Sequence, residues 1–413
     1  MKYTLLIFVS ILVFVTSCKD DDVVDNRVIF KFTLKDPIYA TADRWIILRD
    51  NESGEVIDSR QVQKNETAIF ESTKKIPSGK MTVTFFRAYD SPTARAQVYS
   101  GVDVGSEWTS SEDLRNKAKP DGPETSGTYN LRIINAPTLY SFTLSDENGP
   151  TNMNTKAVND NGIITLEAGF TTGNRQMVSI DPLEGNQRYA FIEDIDFNEN
   201  IVLDYNDFKE FDRYIGLSML YGDIQVRAYP TVAKFYNGYD TYYNNEYGSS
   251  ESLTKEVMKL GVLEEFKTYR ITLNLNRIEY RFLGPPPSSI DPMRGEFVEG
   301  FVLAETDFAN YKLETTSDYN HRYVNYHYNG QRASDRSLDV EYYGPKGDWK
   351  LPDALTDEII AKYSLKMDQP KYGLTEVSLG TETYEKLLDY YFSADYDPGE
   401  PFEITTVYVK TAN

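Results

Sequence analysis

The sequence predicts a mainly β protein: three tandem antiparallel β-sandwich units of Ig-like character, each with a short helix, the third with extra helices. Three observations predict it. Apolar and polar residues alternate with period two through many short segments. Turn-forming residues separate those segments at short intervals. One motif then occurs three times, as "EWTSSEDL" at 107–114, "EYGSSESL" at 246–253 and "DWKLPDAL" at 348–355. Its pattern is an acid, an aromatic residue, two variable positions, Ser or Pro, an acid, any residue and Leu. Other features recur with it. "RAY" at 87–89 returns at 227–229, and "TY" at 128–129 returns at 268–269 with the same offset.

These repeats set the expected boundaries at 28–136, 137–277 and 278–413. The first unit opens on "FKFTLKD", a half-buried strand by its alternation. "RWIILRD" and "EVIDSRQV" are strands around the turn "NESG", and "KMTVTFFRAY" is a long strand after the turn at Pro77, Ser78 and Gly79. The repeated motif is expected to start a short helix, capped by Ser110 in the first copy and Ser249 in the second. Its acids suit a positive helix end. The motif is read either as a ligand site used three times or, more plainly, as structural, with Trp108, Tyr247 and Trp349 plugging the sandwich ends. "TYNLRIIN" closes the unit as a strand.

The second unit opens on "YSFTLSD" and closes on "TYRITLNLN". The third opens more weakly on "YRFLG", and the prolines at 285–287 stiffen the chain just after it. Val340, Tyr342 and Tyr343 stand where the "RAY" strand belongs, and Pro352 suits a first helical position. "LTDEIIAKY" and "TETYEKLLDYYF" add helices, the second with Tyr384, Leu387, Leu388 and Tyr391 on one packing face. "TTVYVKTAN" ends the unit as a strand.

Residues 1–17 read as an export signal. Lys2 gives a positive start, and residues 5–15 are apolar apart from Ser10. Val15, Thr16 and Ser17 lead into Cys18, the only cysteine. This stretch resembles the lipobox of bacterial lipoproteins. The resemblance implies cleavage before Cys18, acylation there, and a flexible acylated tether over 18–27. Lys19, Asp20, Asp21 and Asp22 come next, and resemble the acidic surface-export signal of many Bacteroidota lipoproteins. Together the two resemblances imply an outer-membrane lipoprotein, anchored by lipid and facing outward. Acylation also accounts for a single cysteine in an exported chain, where an odd thiol invites stray disulfides.

Charge excludes some partners. With 43 basic and 64 acidic residues, the chain carries a net charge of −21. It repels nucleic acid, and no basic patch compensates.

Catalytic signals are missing from the sequence. The two histidines, His321 and His327, would lie roughly 20 Å apart on a strand and could not share a metal. No Gly-x-Ser-x-Gly elbow, P-loop or dinucleotide fingerprint occurs. The expectation is a protein without enzyme activity or cofactor.

One metal candidate exists. Asp194, Asp196, Asn198 and Asn200 in "DIDFNEN" match the first four ligand positions of a calcium loop, with Ile201 at the apolar eighth. Glu199 replaces the expected glycine, and Tyr205 the expected acid. The loop is read either as a structural calcium site or as a plain acidic turn.

Tyrosine supplies the binding candidates. Tyr236, Tyr239, Tyr242 and Tyr243 stand among Asn, Asp and Gly, and Tyr319, Tyr323, Tyr326 and Tyr328 form a second cluster. Such rings stack on a sugar or peptide face at low entropy cost. They equally build cross-strand ladders. The sequence therefore predicts a surface recognition module for a glycan or protein. In plan it resembles the surface glycan-binding lipoproteins that accompany Bacteroidota nutrient importers. The alternatives are a structural adhesin or fimbrial anchor subunit, and a surface hydrolase.

Overall fold

The computed structural model describes residues 26–35, 42–89, 92–111, 126–147, 149–151, 158–171, 175–217, 223–230, 238–245, 258–275, 277–290, 300–329, 336–347, 350–367, 370–380, 383–393 and 402–411. The protein is mainly β, as the alternation predicts.

The first strands are β1 (Arg27–Lys35), β2 (Asp43–Asp50), β3 (Val56–Val62), β4 (Thr67–Ser72), β5 (Lys80–Ala88), β6 (Thr93–Asp103), β7 (Ser106–Ser111) and β8 (Ser126–Ile134). Next come β9 (Leu139–Asp146), β10 (Gly149–Pro150), β11 (Val158–Asp160), β12 (Ile163–Thr171), β13 (Gln176–Pro182), β14 (Arg188–Ile192), β15 (Asn200–Asp204), β16 (Lys209–Glu210) and β17 (Arg213–Leu217). After these stand β18 (Asp223–Tyr229), β19 (Tyr239–Asn245), β20 (Met258–Val262), β21 (Thr268–Leu275), β22 (Ile278–Gly284), β23 (Phe301–Glu305), β24 (Lys312–Thr315), β25 (His321–Tyr328) and β26 (Ser337–Pro345). The chain ends with α1 (Asp357–Lys362), β27 (Pro370–Gly380), α2 (Tyr384–Phe392), β28 (Phe402–Tyr408) and β29 (Lys410–Thr411). The turn expected before β5 is present: Gly79 sits at φ 66°, and its N–H donates to the carbonyl of Ile76 at 3.0 Å.

Strands from all three expected units join in one twelve-stranded sheet, ordered β19-β18-β21-β22-β28-β27-β25-β26-β6-β5-β2-β3. Its pairs are antiparallel except β6 with β26, which run parallel with Thr93 opposite Ser337 and Tyr99 opposite Tyr343. The three "RAY" positions fall in this one sheet, on β5, β18 and β26. The strands beside the expected boundaries also pair across them. β8 pairs with β12 and β15, and β21 pairs with β22.

Layers form on both faces of the sheet. The sheet β4-β1-β7 packs Phe30, Phe32, Phe70 and Trp108 onto Ile46, Leu48, Val83, Phe85 and Tyr99. Behind the same strands, Ile47, Phe86, Val98, Val340 and Tyr342 meet Leu351, Leu355 and Ile359. β2 and β5 are thus buried on both faces, which explains their near-continuous apolar runs. At the other end, Ile224, Val226, Ile271 and Phe282 pack on Ile215, Leu260 and Val262 of the β17–β20 pair. A separate sandwich closes around Leu131, Ile133, Ile164, Leu144, Val178 and Ile180, from the sheets β11-β12-β8-β15 and β10-β9-β13-β14-β16.

The β19 edge of the large sheet is covered. The carbonyls of Asp240 and Tyr243 on β19 accept from Ser145 Oγ at 3.3 Å and Ser141 Oγ at 2.6 Å, and Gln187 Nε2 donates to the carbonyl of Thr241. At the other end, Arg60 of β3 donates to the carbonyl of Ile69 on β4 at 2.9 Å. Covered edges do not template strand addition.

The repeated motif differs from its expected helix. In the first copy, 107–111 lie in β7, which pairs in parallel with β1, Phe30 opposite Ser106 through Lys35 opposite Ser111. Ser110 is a strand residue there, not a cap. Trp108 and Thr109 favour strands, and pairing beside β1 seats Trp108 in the core, so packing overrides the capping signal. The remainder of that copy, 112–114, and the whole second copy, with Ser249 and Tyr247, lie outside the described residues. In the third copy, residues 350–355 are irregular; Leu351 and Leu355 are buried, and α1 starts after Thr356. Pro352 is therefore outside the helix, and Trp349 is outside the described residues. α2 forms as expected, capped by Thr383 Oγ1, which accepts from Lys386 N at 3.3 Å. Of its expected packing face, Tyr384 and Leu387 are buried, Leu388 is half-buried, and Tyr391 is exposed.

Trp108 does plug a core. Its ring stacks on Phe392 of α2, with centroids 4.0 Å apart, and meets Phe30 and Tyr99 edge-on at 5.2 and 5.3 Å. Trp108→Ala is expected to cost about 3–5 kcal/mol of stability, read as a lower midpoint in urea with circular dichroism. A loss below about 1 kcal/mol would contradict this packing.

Candidate functional site

A cleft of about 320 Å³ lies on one face of the large sheet, with α2 over it. Strand register builds its floor. One row of cross-strand neighbours runs Tyr99, Tyr343, Tyr323, Glu376 and Tyr408 on β6, β26, β25, β27 and β28. A second runs His321, Ser378, Thr406 and Glu279 on β25, β27, β28 and β22. Arg281 lies two residues beyond Glu279 on β22, so period two puts both on one face. Arg270 of β21 lines the far end. Helix α2 contributes Leu387, Tyr390 and Tyr391.

Aromatic contacts fix the wall. Tyr99 and Tyr343 stack at 4.9 Å and 11°, and Tyr323 packs on Tyr343 at 5.0 Å. Tyr384 of α2 donates from its hydroxyl to the carbonyl of Tyr343 at 3.2 Å. At the rim, Tyr391 is 37% exposed and Leu374 36%.

Two of the three carboxylates on this face are neutralised. Glu279 pairs with Arg281 and accepts from the Tyr408 hydroxyl at 3.2 Å. Glu341 pairs with Arg95, and accepts from Gln97 Nε2 at 3.0 Å and the Tyr343 hydroxyl at 3.2 Å. Glu376 makes no hydrogen bond or ion pair among the described residues. Burial pushes its carboxyl up to about 7; Arg281 opposes the shift, and the charges of Glu279 and Glu341 add to it. His321 is 4% exposed, and its Nδ1 has no hydrogen-bond partner. Burial pulls its imidazole down to about 4, so it is neutral at physiological pH. Burial likewise raises the Tyr323 and Tyr343 hydroxyls, which stay protonated. The cleft thus offers aromatic faces, neutral hydrogen-bonding groups, a titrating carboxyl and guanidinium groups.

The expected tyrosines are placed differently from one another. Tyr239 and Tyr242 of β19 are buried in the core, their hydroxyls donating to the Arg175 carbonyl at 3.2 Å and Asp181 Oδ2 at 3.3 Å. Tyr243 is 43% exposed. Tyr236 lies outside the described residues. In the second cluster, Tyr323 faces the cleft, while Tyr319, Tyr326 and Tyr328 are buried.

The 194–200 loop is held by hydrogen bonds within itself and to β8. Asp194 and Asn198 take left-handed φ values of 56°. The Asp196 N–H donates to Glu199 Oε2 at 3.0 Å, the Asn198 N–H to the Thr128 carbonyl at 2.8 Å, and Asn130 Nδ2 to Asn200 Oδ1 at 3.1 Å. Among the described residues, no group of three or more His, Cys, Asp or Glu side chains is placed to hold a metal. Cys18, Lys19, Asp20, Asp21 and Asp22 lie outside the described residues. Among those described, no helix is long and apolar enough to cross a membrane.

Sequence reasoning did not single out Glu376, Arg281, Arg270, Glu279 or Glu341. Each is a charged residue within an alternating strand. The available signal was a charge flanked by buried positions, as in Thr375-Glu376-Val377.

No family model matches the chain, and no curated protein matches it. Among solved structures, it is similar to a candidate adhesin from Bacteroides ovatus ATCC 8483. The identity is 8%, over 48% of this chain and 97% of the other, with a TM-score of 0.16. It is also similar to a calcium-stabilised adhesin with which an Antarctic bacterium binds ice. There the identity is 8%, over 90% and 91% of the two chains, with a TM-score of 0.13. Scores this low carry no argument about fold or function.

Glu376 couples stability to pH. Its folded carboxyl binds a proton more tightly than the unfolded one, whose ordinary value is 4.5. Its stabilising contribution is therefore full at acidic pH and is lost as pH rises from about 4.5 through about 7. Glu376→Gln is expected to raise the melting temperature relative to the native chain more at pH 8 than at pH 5. Equal differences at the two values would contradict the burial of this carboxyl.

Proposed function

We propose that the protein is a non-enzymatic surface adhesin, anchored by lipid at Cys18, that recognises a carbohydrate in the cleft beneath α2. The observation that supports this is the cleft's make-up: tyrosine faces beside neutral hydrogen-bonding groups, in a concavity of the size small ligands use. Flat rings take up the apolar faces of sugars, and the carboxyl, imidazole and guanidinium groups take up hydroxyls. A protein partner would demand a broader surface than this concavity offers.

The sequence carries no Gly-x-Ser-x-Gly elbow, P-loop or paired-histidine metal motif, which favours binding over hydrolysis. The carbonyls of Asp240, Thr241 and Tyr243 on β19 are taken by side chains of the neighbouring sandwich, which disfavours strand addition at that edge. Both structural neighbours are described as adhesins, at a similarity too low to argue from.

A glycan array probed with the chain from residue 26 onward tests the reading. Tyr391 is 37% exposed at the rim of the cleft, and circular dichroism checks that Tyr391→Ala keeps the fold. The substitution is expected to weaken binding to the retained glycans by about tenfold. Retention unaffected by Tyr391→Ala, or steady hydrolysis of a bound glycan, would overturn the proposal.

A further inference from the structure

We infer that the glycan is an acidic oligosaccharide, its carboxylate gripped by Arg270 at one end of the cleft and a hydroxyl held by His321 near the other. This rests on the carbohydrate reading above and names the ligand's class.

Arg270 is the guanidinium left over on this face. Arg95 and Arg281 each hold a glutamate. Arg270 is half-buried in the wall, and among the described residues it makes no ion pair or hydrogen bond. Its charge reaches Asp240, but that carboxylate is already bonded to Arg227 Nε at 2.7 Å. The chain has 64 acids against 43 bases, yet among the described residues none pairs with Arg270. A guanidinium presents a planar fork of donors that matches a carboxylate.

His321 is the second, independent observation. It is buried, it lines the same cleft, and its Nδ1 has no partner. It borders the cleft as a neutral polar group. A neutral imidazole suits a hydroxyl rather than a charge.

Spacing makes the ligand a chain. Arg270 is on β21 and His321 on β25, with β22, β28 and β27 between them. Four strand spacings amount to roughly 19 Å, more than one sugar ring covers. Glu376 lies between the two ends. It is half protonated near neutrality, so it opposes an anion less than an ionised carboxylate would.

The test is calorimetric titration of the chain from residue 26 onward with oligogalacturonates, hyaluronan oligosaccharides and sialyllactose, each beside its carboxyl-reduced twin. At least one acidic probe is expected to bind, with its reduced twin weaker by about tenfold or more, as loss of a charged hydrogen bond implies. Arg270→Gln should bring that acidic probe to the level of its twin, and Arg270→Lys should recover part of the difference. If Arg270→Gln does not fold, the comparison of twins on the native chain decides alone. Equal binding of a probe and its twin, undisturbed by Arg270→Gln, would sink the acidic assignment and leave the carbohydrate reading standing. No binding here, with neutral glycans retained on the array, would do the same. No binding here and an empty array would end both.

Discussion

The parallel pairing of β6 with β26 is the contact on which the rest of the architecture depends. It joins strands 244 residues apart, and Ser337 Oγ lies 3.2 Å from Thr93 Oγ1 where the pairing begins. Parallel neighbours cannot be linked by a hairpin. Here the connection is most of the protein, including a complete sandwich of its own. Closing so long a loop is entropically costly. Burial offsets the cost, because β6 and β26 carry Ala96, Val98, Val340 and Tyr342 into one apolar core. Without this seam the large sheet would fall into two.

The seam also sets where the cleft can form. On one side of it, β1, β4 and β7 cover the sheet face. On the other side the same face carries Glu376, Arg281 and Glu279, with α2 above. Tyr99 and Tyr343 stack across the seam itself and make the wall where the two regions meet. Trp108 then ties the covering layer to α2 through Phe392. The cleft is thus bounded by contacts whose first purpose is packing, and its polar groups sit where that packing stops.

Much of the fold was legible locally. Alternation marked the strands, Gly79 marked its turn, and the spacing in "TETYEKLLDYYF" marked α2. The "RAY" repeat was real as a strand signal. What it could not reveal was that three such strands would share one sheet, because pairing partners so far apart leave no periodic trace. The motif around Trp108 failed for a related reason. Its serines and acids spell a helix start, but pairing with β1 took 107–111 into a strand. The site was less legible still. Tyr239 and Tyr242 looked like recognition residues and are core residues of β19. Glu376, Arg270 and Arg281 come from three different strands, and only register brings them together. His321 is one of two histidines in the sequence, and spacing alone does not reveal its burial beside the cleft.

Cross-linking tests the seam directly. In a chain from residue 26 onward, which lacks Cys18, Thr93→Cys and Ser337→Cys are placed together and oxidised mildly. Paired strands bring the two Cα atoms within disulfide reach. The architecture predicts near-complete intramolecular closure, seen as faster migration on a non-reducing gel and as loss of both free thiols. Two thiols that stay reduced in the folded monomer would show that the first and third regions do not share a sheet, and the cleft would lose its wall.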